Sequence, residues 1–128
     1  MSYPVGHPAV KVAQTVLDGA MSGWVVATKI PNQRPAKLVK VSRSGGGRLV
    51  IVTDVARLLV EVWAKTVADT EQGCLDAIAA LQNAQGTIVD GAFIRGFDNI
   101  EGPVDLPDPD VTDQERWQFV GDFSVSTS

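Results

Sequence analysis

KLVKVSRSGGGRLVIVTDVARLLVEVWA, residues Lys37 to Ala64, decides the fold. Leu38 to Arg43 alternates apolar and polar side chains, Ser44 to Gly47 supplies residues able to take positive φ, and Leu49 to Val52 is a short, largely β-branched run. The pattern predicts a hairpin with SGGG at its tip. After a break at Thr53 and Asp54, Leu58, Val60, Val62 and Ala64 fall on one face of a further strand, and Arg57, Leu59, Glu61 and Trp63 on the other. A Leu and a Trp opposite the core-facing row predict a surface that another protein covers, so Leu59 and Trp63 are candidate interface residues.

Outward from this stretch the elements follow by period. Towards the N-terminus, Ala9, Val12, Ala13, Val16, Leu17 and Ala20 have the spacing of an amphipathic helix, with Pro8 suited to its first turn and Gly23 ending it. Trp24 to Lys29 reads as a strand, and Pro31, Asn32 and Pro35 make the next connection irregular. Towards the C-terminus, Asp69 and Gln72 have capping-box spacing, and Cys74, Leu75, Ile78 and Leu81 line one side of a second helix that stops near Gly86. Thr87 to Phe97 is extended in character, interrupted by Asp90, Gly91 and Gly96. A Pro- and Asp-rich connection is expected from about 98 to 114, long enough to be functional or mobile. Trp117, Phe119, Phe123 and Val125 then alternate with Gln118, Asp122 and Ser124 in the cleanest strand of the chain; Gly121 in the apolar row marks a bulge or a close backbone approach. The order predicts one α+β domain over residues 1–128, a mainly antiparallel sheet of four to six strands with two helices packed on one face.

Composition narrows the function. A 128-residue chain with 45% apolar and 20% charged residues supports one core and is not disordered as a whole. A net charge of −4 argues against a broad basic face that grips nucleic acid. The single cysteine, Cys74, among Leu75, Ala77 and Ile78, reads as a buried apolar residue and excludes an intramolecular disulfide. No apolar run approaches the roughly 20 residues of a membrane helix, and MSYPVGHPAVK lacks a signal-peptide core, so a protein made in a reducing cytoplasm is expected.

Catalytic and cofactor chemistry finds little support. His7 is the only histidine, which leaves no pair for a metal site. The acidic run DLPDPDVTD, Asp105 to Asp113, lacks the glycine and the terminal glutamate of a calcium loop, and its prolines hold it extended. SGGGR is followed by a strand, not by the helix that a phosphate loop requires. Arg43 and Arg48, approached by Lys37 and Lys40, make a basic patch in an acidic protein, either as charges that guard a strand edge or as a subunit contact. Trp24, Trp63 and Trp117 read as core or interface aromatics. No enzyme, cofactor or metal is expected.

A short N-terminal helix, a basic strand entering a Gly-rich turn, VTD at Val52 to Asp54, VEVWA at Val60 to Ala64, a second helix, and then GP, PDPD and ERWQFVGDFSVS together resemble the tail terminator proteins of long-tailed bacteriophages, the actinobacteriophage type above all. The resemblance spans nearly the whole chain and carries no catalytic signature. It implies a small structural subunit of the virion that assembles into a homo-oligomeric ring, typically a hexamer, at the head-tail junction. Such a ring caps the head-proximal end of the tail tube, stops tube growth and offers a surface to a head-completion or neck protein, while DNA passes through the lumen without specific binding. In that ring Arg43 and Arg48 are expected on one subunit face, with Asp108, Asp110 or Asp113 on the other or near the lumen. A head-closure connector of the same neck, and a small ligand-binding or hydrolytic domain, are the alternatives.

Overall fold

The computed structural model describes residues 3–50 and 52–127, apart from the side chains of 49 and 50. In chain order the elements are α1 (Ala9–Ala20), β1 (Val25–Ala27), β2 (Leu38–Val50), β3 (Thr53–Ala64), α2 (Val67–Asn83), β4 (Ile88–Val89), β5 (Ala92–Asp105) and β6 (Glu115–Ser126). The fold is α+β: one six-stranded sheet of order β1-β2-β3-β6-β5-β4, parallel only between β1 and β2, with both helices on one face. Val12, Ala13 and Leu17 of α1 and Cys74, Ala77 and Leu81 of α2 pack on Val39, Val41, Leu58, Val60 and Val62 and on Phe119, Phe123 and Val125. Cys74 is a core residue, as its apolar neighbours predict.

The glycine run does not turn the chain. β2 continues through Gly45, Gly46 and Gly47, paired with Arg57, Ala56 and Val55, and the reversal comes between Val50 and Thr53, which face each other across the ladder. Val52 lies in that turn, and Ile51, part of the run expected to form the returning strand, lies outside the described residues. The run instead absorbs a register shift between Arg43 and Gly45. Gly46 takes φ 93°, and a Cβ there would collide with the Val55 carbonyl oxygen. A bulged strand and a tight turn ask for the same backbone freedom, and only pairing across the ladder separates them.

Other boundaries also move. α2 begins at Val67 and is capped by the Thr66 hydroxyl, which accepts from the Asp69 N–H at 3.1 Å; Asp69 is thus a first-turn carboxylate and not the cap. Leu75 points outwards, and the buried row is Thr70, Gly73, Cys74, Ala77 and Leu81. Pro8 stands at the N-cap of α1. β5 runs on to Asp105, so the connection expected from about 98 shrinks to the stretch between Asp105 and Glu115. Its register slips between Ile94 and Gly96, Asp98 and Glu101, and Glu101 and Val104, which breaks the alternation that would have revealed it. β6 is as expected, and Gly121 is the close approach that its place in the apolar row implies.

Candidate interaction surfaces

The face of the sheet away from the helices is laced with charge. Arg57 donates to Asp122 at 3.0 Å and reaches Glu101 at 3.4 Å, while the Asn99 amide donates to the other Asp122 oxygen at 3.0 Å. The Asn99 hydrogen bond first holds the Asp122 carboxyl below its ordinary range; burial, second in size, opposes it, and the hydrogen bond and charge of Arg57 add to the lowering. Leu59 is on this face, half-buried between Ser42 and Val120 in the ladder.

Trp63 is not a free surface, and its assignment to a subunit interface is overturned. It is 0% exposed within the single chain, in a small second core with Leu38 and Val111, under the guanidinium of Arg34 at 5.8 Å from the ring centroid. The acidic connection folds back over it. Gln114 donates to the carbonyls of Pro35 and Ala36 at 2.9 and 3.3 Å, and Arg116 donates to the Leu106 carbonyl at 2.8 Å. The strand pattern placed Trp63 on the correct side of β3, but the cover for that side comes from residues about fifty positions later.

The proposed charged residues divide. Arg43 is engaged within the chain by both Asp54 oxygens at 3.2 Å and by the Gly45 carbonyl at 2.9 Å. Arg48 is exposed, opposite Asp54 in the β2–β3 register, and makes no ion pair among the described residues. Asp108 accepts from the Asp110 N–H at 3.0 Å and lies 3.8 Å from Arg116, so it serves the connection's own fold. Asp110 and Asp113 are exposed and form no ion pair among the described residues. The structure therefore does not bring the basic and acidic groups together within one chain.

Residues that pattern reading missed lie on β4 and β5. Asp90 and Gly91, with φ 50° and 81°, form the two-residue turn of a β4–β5 hairpin, in which Ile88 stands opposite Phe93. Arg95 lies over the Phe93 ring at 5.6 Å and donates to the Val52 carbonyl at 3.5 Å. Ile88, Phe93 and Val52 are all exposed, so this end of the sheet shows an apolar patch beside an arginine. Asp-Gly between apolar residues is a strong hairpin signal in the sequence itself.

Among the described residues, two of the surface hollows bear on a site. The larger, about 450 Å³, lies between the end of α1 and α2 and is lined by Met21, Trp24, Asp76, Ala79 and Asn83 among others. Asp76 accepts from Gln72 at 2.9 Å, and no second titratable group converges there. The smaller, about 150 Å³, is bounded by Glu101, Val104, Gln118, Phe119 and Val120 on the open side of the sheet. Among the described residues no helix is long and apolar enough to cross a membrane. In comparisons with known proteins, the chain matches no family model and no curated protein.

Proposed function

We propose that this protein is a structural subunit of a bacteriophage tail, a tail terminator that assembles head to tail into a ring at the tube's head-proximal end. The observation that carries the reading is that the subunit has two unlike ends. At one, Arg48 and Arg95 accompany exposed Val52, Ile88 and Phe93; at the other, Asp105, Asp110 and Asp113 accompany exposed Val104 and Leu106. A ring closes by rotation only when each copy offers its neighbour a surface different from the one it receives on. The acidic connection supports the same reading, because Val111 packs on Trp63 and Gln114 bonds the Pro35 and Ala36 carbonyls, which ties its carboxylates to the sheet instead of leaving them on a free loop. The likeness of the VTD, VEVWA and RWQF passages to tail terminators supplies the particular identity, with tail tube and head-completion proteins as partners and the virion as the location.

The test is electron microscopy of the purified protein alone and with purified tail tubes. Rings, free or seated at one end of each tube, are expected. A monomer that remains unassembled in both samples overturns the reading.

A further inference from the structure

β5 carries a different surface at each end, and the two fit each other. At its start, Phe93 and the opposed Ile88 project from the sheet with Arg95 stacked on the Phe93 ring. Ile88 is 72% exposed, and with Phe93 and Val52 also exposed it belongs to a patch and is not a lone apolar side chain. At its end, roughly 25 Å away along the stretch of β6 from Val125 to Gln118 with which Ile94 and Val104 pair, Val104 is 51% exposed and borders the 150 Å³ hollow whose rim includes Glu101.

We propose that the Ile88–Phe93 knob of one copy of this chain seats in the Val104 hollow of the next, with Arg95 meeting Glu101. The occupant is a second copy because charge and shape agree at both ends of one strand: an apolar knob beside a cation, and a hollow that offers Val104 and Val120 beside the Glu101 carboxylate. A knob and a hollow at separate places on one molecule make a heterologous contact, which propagates from copy to copy and closes as a ring when the rotation permits. Arg95 is already in place, since its contacts with Phe93 and the Val52 carbonyl hold the guanidinium beside the knob. Glu101 is held only by an exposed contact with Arg57, a pairing of little worth in water that a second arginine can share. The contact replaces Arg43, which Asp54 occupies, by Arg95 as the cation that crosses between copies. This inference rests on the head-to-tail reading above and names the surfaces that realise it.

Two variants with one added cysteine each, Ile88→Cys and Val104→Cys, test it, because Cys74 is buried and stays silent towards a short bis-maleimide. Mixed, they are expected to cross-link 88 to 104 and to give little of either homotypic product. Ile88→Asp and Val104→Asp, both at exposed positions that leave the fold intact, are each expected to weaken assembly about tenfold or more. A mixture of the two Asp variants supplies one intact knob and one intact hollow, so it is expected to stop at heterodimers. Homotypic 88-to-88 cross-links, or rings unchanged in both Asp variants, overturn this contact and leave the tail terminator reading standing. Wild-type protein that assembles neither alone nor on tubes overturns both.

Discussion

Phe97 lies across the backbone of Gly121, so close that a Cβ on Gly121 would come within 2.5 Å of the Phe97 Cζ. The same ring meets Phe119 and Phe123 edge-on, with centroids 6.2 and 6.3 Å away. Gly121 interrupts the apolar row of β6 so that an aromatic side chain from β5 can fill the gap between two others, which locks those strands together in the core.

Gly121→Ala is therefore expected to cost about 1–3 kcal/mol by overpacking, since Phe97, buried between Phe119 and Phe123, must shift to admit the methyl group. Urea unfolding followed by tryptophan fluorescence measures it. A variant as stable as the parent would show that the ring yields easily.

Trp63→Ala is expected to cost about 3–5 kcal/mol and to free the acidic connection from the sheet. Hydrogen exchange should quicken at Leu106 and Val111, whose N–H groups donate to Arg116 and Asp108 carbonyls. Unchanged exchange there would mean that Arg116 and Gln114 hold the connection without Trp63.

Cys74 predicts a pH dependence at the alkaline end. Burial first, and the charge of Glu71 second, push its thiol from 9.0 up to about 12. Folding favours the neutral thiol, so this contribution is complete below the unfolded thiol pKa and is lost as pH rises from there towards about 12. Cys74→Ala should flatten that loss. In the parent, a thiol reagent at pH 8 should label Cys74 only as fast as the protein opens.

Asp122 works in the opposite direction. Its lowered pKa, set first by Asn99 and then by Arg57, stabilises the fold above the ordinary carboxylate pKa, and that contribution is lost as pH falls through the folded value. Asp122→Asn should reduce stability near neutral pH and remove part of the decline in acid. Equal stabilities of parent and variant at pH 7 would show that the network adds nothing net.

Local sequence determined the parts of this protein whose cause is local. The spacing of Val12, Ala13 and Leu17 makes one apolar face for α1, the alternation of Leu58, Val60 and Val62 makes one for β3, and Trp117 to Val125 does the same for β6. From these came the α+β class, the helices on one face, the buried Cys74 and the crowding at Gly121. Tertiary structure decided whatever depends on a partner distant in the chain. Whether Gly45 to Gly47 bend or bulge a strand depends on the pairing with Val55 to Arg57, and whether Trp63 meets water depends on Val111 and Arg34 folding over it. The same holds for the two ends of β5: its irregular register hides the strand from any test of alternation, and the separation of Phe93 from Val104 becomes visible only when the strand is laid beside β6. Periodicity reports which side of an element a residue occupies, but what covers that side is settled by contacts between segments that the period does not connect.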